Sequence, residues 1–234
     1  MATSGTTIFT MTRDEIAAAA LRSLGAFGPQ DTIPATDLTT AAEALNILVK
    51  AMSITELPLW CVDDIAVPLV VGIGTYDLSA ATGTTLPLRV LDAYIRNAAG
   101  MDRTLQIISR YDYDTLGYKN APGAPTQLYY DPQLGSGKVT VYAVPAYAGE
   151  TLHVVLQRQI QDFNLSTDNP DFPQEALRML KWGLMDELAL EYRTPRNERL
   201  EINQRALSYR QQFEASLQEQ ASVVFVPTTR QTAR

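Results

Sequence analysis

The hydrophobic pattern of this chain changes period twice, and this double change limits the folds that the chain can adopt. Up to about residue 58 the apolar residues recur at helical spacing, and from Leu59 they alternate with a period of two. Helical spacing returns after a polar stretch at residues 163–170. This order predicts two helical parts that fold together around an inserted β region.

We therefore predict an α+β fold, in which a four-helix bundle carries an inserted antiparallel β-sandwich or open barrel and ends in an extended C-terminal arm. The predicted boundaries are 1–58 for a helical hairpin, 59–162 for the β region, 163–221 for the third and fourth helices, and 222–234 for the arm. About seven short strands within roughly 100 residues are typical of a sandwich or an open barrel.

The first helical part carries clear start and stop signals. Thr12 and Glu15 have the spacing of a capping box, and Gly25 follows the apolar residues of a short, alanine-rich helix. A second helix is predicted from about Ala35 until Pro58, where the helical spacing of apolar residues ends. We expect these helices to form an antiparallel hairpin.

The third helix has the widest apolar surface in the chain. Asp171 is predicted as its N-cap, with Gln174 as the capping-box partner and Pro173 in the first turn, and the helix is expected to run to about Tyr192. Two apolar stripes lie side by side on it, one formed by Leu177, Leu180, Leu184 and Leu188 and the other by Trp182, Met185, Ala189 and Tyr192. Either this helix is central to its own domain, or it also faces another subunit.

The fourth helix is predicted from about Arg196 to Gln220. Its apolar stripe is narrow, which is typical of an outer helix with one solvent-exposed face. The stripe consists of Leu200, Ala206, Leu207, Phe213 and Leu217.

Turn residues recur about every ten positions in the β region, between short runs that alternate apolar and polar residues. The predicted strands lie near Trp60–Val67, Thr75–Leu78, Leu88–Ile95, Thr104–Ile108, Thr126–Tyr130, Lys138–Val144 and Thr151–Ile160. The clearest hairpin joins Gln127–Tyr130 to Val139–Tyr142, and a small helical turn is expected at Tyr111–Asp114. The glycines of Val71–Gly74 are interpreted as a hairpin turn rather than a phosphate loop, because the spacing of phosphate-loop residues is incomplete.

Composition excludes several classes of function. The chain has one cysteine, Cys61, and one histidine, His153, so it has neither a disulfide framework nor a Cys/His metal cage, and we predict no metal and no cofactor. A net charge of -7 disfavours non-specific binding to DNA. We predict no membrane association, because no apolar run is long enough to span a bilayer.

No catalytic residue is predicted. His153 alternates with buried positions of a strand and lacks a nearby Ser/Asp signature, so a satisfied strand histidine is the favoured interpretation. Cys61 follows Trp60 and is interpreted as a small buried hydrophobe. Glu187 and Glu191 lie four residues apart and have the types needed for an acid/base pair, but such carboxylates are more often solvated or paired with arginine.

Several sequence segments, in the same order along the chain, carry a resemblance to a known family. They are Thr12–Ile16, Ala20–Gly25, Ala44–Asn46, Leu59–Trp60, Ala124–Pro132, Gln157–Arg158 and Asp171–Glu175. Over nearly its whole length the chain resembles the head-to-tail adaptor proteins of short-tailed bacteriophages, also called packaged-DNA stabilisation proteins or tail accessory factors.

The resemblance implies a non-enzymatic structural protein of the virion, made in the host cytoplasm. In that family a homo-oligomeric ring, commonly a dodecamer, lies beneath the portal protein, closes the DNA channel after packaging and receives a tail nozzle or fibre protein. Double-stranded DNA passes through such a channel without specific binding. The helices form the ring body, the β region points away from it, and the C-terminal arm contacts the portal.

Two groups of residues are assigned from this resemblance together with the apolar pattern. The portal-binding arm is expected to use Val223, Val224, Phe225, Val226, Pro227, Arg230 and Arg234. The subunit interface is expected to use Trp182, Met185, Ala189 and Tyr192.

The alternative function is a phage-associated peptidoglycan hydrolase or a glycan-binding module. Tyr129, Tyr130 and Tyr142 have the side chains needed to stack on sugar rings, and Glu187 and Glu191 would supply the acid and the base. Aromatic pairs in a hairpin, however, more often pack against each other.

Overall fold

A computed structural model of the chain describes residues 5–55, 59–78, 87–133 and 136–216. Within these ranges helices lie toward both ends of the sequence and strands lie between them, which confirms the mixed α+β class. The helices are α1 (Arg13–Ser23), α2 (Ala35–Thr55), α3 (Arg110–Asp114), α4 (Leu177–Leu188) and α5 (Arg196–Ser216). The strands are β1 (Val62–Pro68), β2 (Thr75–Asp77), β3 (Pro87–Arg96), β4 (Asp102–Thr104), β5 (Gln106–Ile108), β6 (Pro122–Gly123), β7 (Gln127–Gln133), β8 (Ser136–Tyr142), β9 (Val144–Pro145) and β10 (Thr151–Arg158).

Helix α1 begins and ends at the predicted residues. Thr12 Oγ1 accepts a hydrogen bond from Glu15 N at 3.4 Å, and Thr12 N donates to Glu15 Oε2 at 2.8 Å, so the capping box is complete. After the C-cap residue Leu24, Gly25 has a φ of 81°, a left-handed conformation that glycine adopts without strain.

The start of α4 differs from the prediction. A 3-10 turn at Gln174–Ala176 precedes the helix, and its N-cap residue is Pro173, without a side-chain cap. Asp171 instead binds the guanidinium of Arg158 and accepts a hydrogen bond from Gln161 N at 3.1 Å. The predicted capping box of Asp171 and Gln174 is therefore wrong, because a guanidinium is a stronger partner for a carboxylate than backbone amides are.

The end of α4 also differs from the prediction. The α-helix ends at Leu188 rather than near Tyr192, and the chain continues through turns in which Arg193 has a φ of 52°. Pro195 follows two residues later and disfavours helical geometry at Thr194. The last residues of the predicted stripe, Ala189 and Tyr192, therefore lie in turns beyond the helix.

Helix α4 is the central helix of the described chain, because it packs against α1, α2 and α5. The predicted stripe of Leu177, Leu180, Leu184 and Leu188 is buried. Gly183 faces α2 so closely that a Cβ atom built there would lie 2.9 Å from Leu48 Cδ2. Trp182 packs on Tyr209 of α5, with ring centroids 5.8 Å apart. The wide apolar arc therefore meets different helices on different sides.

Helix α5 buries only part of the predicted stripe, namely Ala206 and Phe213. Ile202, Ala206 and Phe213 face the core, whereas Leu200 and Leu207 are 54% and 51% exposed. The prediction grouped apolar residues from both faces, because α4 ends early and thereby sets which side of α5 the core covers. Leu217, the last residue of the predicted stripe, lies outside the described residues.

The β region consists of two four-stranded sheets and a two-stranded pair. The strand orders are β1-β10-β3-β4 and β2-β8-β7-β5, and β6 pairs with β9. The described neighbours are antiparallel except β5 with β7 and β6 with β9, which are parallel. Residues of both large sheets share one hydrophobic cluster, to which Ile95, Leu152 and Leu156 contribute from the first sheet and Leu128 and Val141 from the second.

Two details of the β region depart from the prediction. The predicted strand Thr104–Ile108 is divided at the buried Leu105 into β4 and β5, which belong to different sheets. The turn at Val71–Gly74 joins β1 to β2, which also lie in different sheets, so it is not a hairpin turn. The hairpin of β7 and β8 and the short helix α3 are confirmed.

Candidate docking surfaces

The β region is joined to the helices by a buried junction around Arg158. This residue ends β10, and its guanidinium binds both carboxylate oxygens of Asp171 and lies 3.5 Å from Asp63. Hydrogen bonding to Asp171 raises the pKa of Arg158. Trp60 Nε1 donates to Asp171 O at 3.0 Å, and the indole ring packs against Phe172. Both connections between the helical and β regions thus converge on one set of contacts.

The predicted polar linker at residues 163–170 is tied to the helices by backbone hydrogen bonds. Arg13 N donates to Asp168 O at 2.8 Å at the start of α1. The side-chain amide of Asn46 in α2 donates to Phe163 O at 3.0 Å and accepts from Phe163 N at 2.9 Å. These contacts hold the return path of the chain against both N-terminal helices.

His153 is a satisfied strand residue, as predicted. Its Nδ1 lies 3.1 Å from Asp64 Oδ1, and its ring stacks on Tyr94 with centroids 4.7 Å apart. Tyr94 in turn donates a hydrogen bond to Asp64 Oδ2 at 2.7 Å. The imidazole is therefore held by two partners on the outer face of the first sheet.

Cys61 is a buried hydrophobe, as predicted. Its side chain is fully buried in the helical core beside the junction. Burial raises the pKa of the Cys61 thiol to about 11, against the opposing effect of Arg158. A protonated, inaccessible thiol is unsuited to act as a nucleophile at neutral pH.

The carboxylates of the alternative function do not share one helix. Glu187 is exposed on α4, and Glu191 is exposed in the turns that follow the helix, so the expected helical spacing is lost. Glu187 lies at a recess of about 460 Å³ that Arg196 and Arg199 also line. The two carboxylates are therefore not arranged as the acid/base pair that the alternative function needs.

Two of the three candidate sugar-stacking tyrosines, Tyr129 and Tyr130, make contacts within the chain. Tyr129 is 9% exposed and stacks on Tyr113, with ring centroids 5.0 Å apart. Tyr130 packs against the β core and donates a hydrogen bond to Pro87 O at 2.6 Å. Because one ring is covered and the other is packed, neither presents an open face to a sugar.

A recess of about 780 Å³ along α1 also lacks a catalytic arrangement. The carboxylates that line this recess already bind neighbouring groups of the same chain. Glu15 caps α1, Asp14 lies 2.8 Å from the guanidinium of Arg13, and Asp31 accepts a hydrogen bond from Gly28 N at 2.7 Å.

The end of the β region opposite the junction is formed by the turns at residues 69–74 and 97–101 and by residues 143–149, which include the short strand β9; we call these three segments the distal loops. None of these three segments contains a charged residue. Their large exposed side chains, between 46% and 65% exposed, are Val70, Val71, Ile73, Met101 and Tyr147. An exposed apolar surface without charge at one end of a domain is typical of a docking surface.

The distal loops are held in place by hydrogen bonds. Gly72 N donates to Pro145 O and Leu69 N donates to Glu150 O, each at 3.0 Å. The hydroxyl of Tyr76 donates to Ile73 O at 2.7 Å and accepts from Val70 N at 3.0 Å. Apolar side chains on a fixed backbone lose little conformational entropy on docking. Sequence reasoning missed this surface, although the absence of charge from three glycine-containing turns was visible.

The four residues expected at a subunit interface have different environments in the single chain. Met185 and Ala189 are buried in the core, whereas Trp182 and Tyr192 are partly exposed. Tyr192 donates a hydrogen bond to Asp37 Oδ1 at 2.6 Å. Burial and hydrogen bonding to Asp37 raise the pKa of Tyr192.

The expected portal-binding arm, from Val223 to Arg234, lies outside the described residues, which end at Ser216. Near that end Phe213 packs against Trp60, with ring centroids 5.7 Å apart. The chain therefore leaves α5 beside the junction between the helical and β regions.

Two general findings concern the described residues. Their side chains include no group of three or more His, Cys, Asp and Glu placed to hold a metal ion. None of their helices combines the length and apolar character needed to cross a membrane.

Comparison with known proteins identifies the family. The sequence matches the family model of the SU10 adaptor protein across residues 11–233, which is almost all of the chain. No curated protein matches the chain. The match covers both helical parts and the β region, and it supports the resemblance to phage adaptors at the level of the family. The chain therefore belongs to the SU10 adaptor protein family.

Proposed function

We propose that this chain is a head-to-tail adaptor of a short-tailed phage and works without catalysis. Copies of it form a dodecameric ring that docks under the portal protein, closes the DNA channel after packaging and connects to the tail. The observation that carries the proposal is the family match across residues 11–233, which includes the helical parts and the inserted β region together. The protein is then a component of the virion neck.

Each part of the chain has a role in this proposal. Residues 1–58 and 163–221 form a four-helix bundle that builds the ring body, and residues 59–162 form a β-sandwich that points away from the ring. The arm at residues 222–234 docks on the portal through Val223–Pro227, while Arg230 and Arg234 contact acidic groups. The apolar run and the two arginines without any acid support this role for the arm.

The charge of the chain supports a channel through which DNA slides. A net charge of -7 gives the ring no general attraction for phosphate, so double-stranded DNA passes without being held. The uncharged distal loops support a contact on the tail side, with an apolar surface of a nozzle or fibre protein.

The proposal is tested by mixing the purified chain with the portal protein of the same phage and measuring the mass of the complexes by mass photometry. We expect a monomer alone and a ring of added copies on each portal. A full-length, folded chain that adds no mass to the portal would overturn the proposed function.

Deleting Ser222–Arg234 tests the arm. We expect an unchanged melting temperature, because the described core residues of α5, Ile202, Ala206 and Phe213, all precede the deletion, together with loss of portal docking. A chain in which residues 222–234 are scrambled is the matched control, since it keeps the length and composition and should also fail to dock. Unchanged portal affinity of the deletion variant would remove the arm from the proposal.

A further inference from the structure

A closed ring of identical subunits needs two different faces on each subunit that complement each other. Helices α2 and α5 supply such faces, because they pack against different sides of the central α4. Gly183 of α4 meets Leu48 of α2, whereas the preceding Trp182 meets Tyr209 of α5. Since successive residues of a helix point about 100° apart, the outer surfaces of α2 and α5 face in different directions.

The face at α5 contains a recess of about 460 Å³, which we call the α4–α5 recess. Its lining residues are Asp186, Glu187, Ala189, Leu190, Arg196, Arg199, Leu200 and Asn203. Leu190 and Leu200 are 70% and 54% exposed there. The recess thus combines two exposed leucines with two acidic and two basic side chains.

The polar groups of the recess indicate what is missing from it. Asp186 Oδ2 accepts a hydrogen bond from Asn203 Nδ2 at 2.9 Å, so its charge is already engaged. Arg199 Nε is buried and has no hydrogen-bond partner within the described chain. A buried donor without an acceptor is costly, so the recess is completed by a group that brings an acceptor.

The face at α2 has the matching features. Ile47, near the middle of the helix, is 66% exposed in the part of the chain that the structure describes. Glu43 is exposed one turn earlier on the same side. A helix that presents an apolar side chain and, one turn away, a carboxylate supplies both the apolar group and the acceptor that the recess needs.

We propose that α2 of one copy docks in the α4–α5 recess of the next copy, with Ile47 against Leu190 and Leu200 and Glu43 on Arg196 and Arg199. This inference rests on the proposed ring and names the surface by which its subunits join. The contact is head-to-tail, which is the type of contact that a closed ring requires and that a symmetric dimer does not use.

Paired cysteines test the contact directly. In the full chain assembled on the portal, Ile47→Cys with Leu200→Cys is expected to give a ladder of covalent multimers after treatment with a short bismaleimide, seen on a denaturing gel. Native Cys61 is fully buried and adds no background. Each single variant alone should give no ladder, and a mixture of the two single variants should give dimers.

A control pair and a charge swap sharpen the result. Ile47→Cys with Ile107→Cys carries the same number of thiols, one of them in the β region, and should give no ladder. Glu43→Arg should reduce ring formation at least tenfold, and adding Arg196→Glu should restore most of it. Restoration of ring formation by the double variant requires that residue 43 of one copy contacts residue 196 of the next.

The outcomes separate this inference from the proposed function. A ring on the portal without a ladder from the 47–200 pair, or with Glu43→Arg unaffected, would show that the subunits join elsewhere and would leave the adaptor function standing. A ladder restricted to symmetric dimers would overturn the head-to-tail contact. If the folded chain adds no mass to the portal, the proposed function fails and this inference fails with it.

Discussion

Arg158 shows how one side chain connects two parts of the molecule. Its guanidinium and the Asp171 carboxylate are 15% and 20% exposed, and they join the last strand of the β region to the segment that leads into α4. Removal of one member of a pair this well covered leaves a charge that water cannot fully solvate. The junction is therefore sensitive to single substitutions.

We predict that Arg158→Ala lowers the free energy of unfolding by about 3 kcal/mol, because Asp171 would remain buried without its partner. Chemical denaturation measures the effect. Arg96→Ala is the matched control, since Arg96 and Asp102 form a similar two-bond pair that is 45% and 44% exposed. That control should cost much less, because water screens the charges of an exposed pair. If Arg158→Ala and Arg96→Ala lowered the free energy of unfolding equally, burial would not be what makes the Arg158 pair important.

The Cys61 thiol makes the free energy of unfolding depend on pH in the alkaline range. Its pKa is raised from 9.0 to about 11 in the folded chain, so the folded state keeps a proton that the unfolded state releases. Stability should then fall by up to about 2 kcal/mol as pH rises from about 9 to about 11.

Denaturation of the native chain and of Cys61→Ala across this pH range measures the effect of the thiol. The slope attributable to Cys61 should disappear in the variant. A slope from Tyr130, whose pKa burial raises from 10.0 to about 12, and from Tyr192, whose pKa is also raised, should remain above about pH 10 in both proteins. An identical slope in both proteins would exclude the thiol as its source.

At the scale of elements, α4 depends on a close approach to α2. Gly183 lies in the interior of α4, where glycine costs about 1 kcal/mol relative to alanine, and it leaves room for the Leu48 side chain. The sequence position of this glycine is therefore explained by packing rather than by helix propensity.

We predict that Gly183→Ala and Leu48→Ala are coupled. Alone, Gly183→Ala forces the end of Leu48 to move, whereas in the Leu48→Ala background the added methyl group meets no such contact. The change in unfolding free energy caused by Gly183→Ala should therefore become more favourable by about 1 kcal/mol in that background, as measured by a double-mutant cycle. Additive effects of the two substitutions would contradict the close approach.

Local signals explain which elements could be predicted. The α1 capping box needs only Thr12 and Glu15, three residues apart, and it was predicted correctly. Asp171 could not be assigned in this way, because its partner Arg158 lies on another element. Similarly, the division between β4 and β5 at Leu105 depends on which sheet each half joins, and that information is not present in the alternation of residues.

The same limit applies to the candidate docking surfaces. The exposure of Leu200 and Leu207 could not be predicted, because it depends on where α4 ends and how α5 lies against it. The distal loops come together only because β1, β3 and β10 are neighbours in one sheet. The sequence indicated a phage adaptor family, which the family match supports, while the positions of these surfaces required the fold.

At the scale of the whole molecule, the distal loops lie at the opposite end of the β region from the helices. We predict that Val71→Asp leaves the melting temperature within a few degrees of the native value, because Val71 is 52% exposed, but reduces tail attachment. Tailed particles counted by electron microscopy, after the variant is added to particles that lack adaptor, measure attachment.

Tyr111→Asp is the control for this substitution, since Tyr111 is 77% exposed on α3 and is not part of the distal loops. It should leave the number of tailed particles unchanged. Normal tail attachment by Val71→Asp would remove the distal loops from the proposed function.

The pairing of β1 with β10 also determines how the protein bears a mechanical load. Both strands run between the junction and the distal loops, and they are neighbours, with Val62 opposite Gln157 and Pro68 opposite Thr151. A pull on the distal loops away from the helices is therefore shared by two covalent backbones in parallel, along the direction of the strands. The hydrogen bonds between these strands lie across the pull and are not opened one after another. Tension transmitted along a tail would stretch this β region without unzipping it.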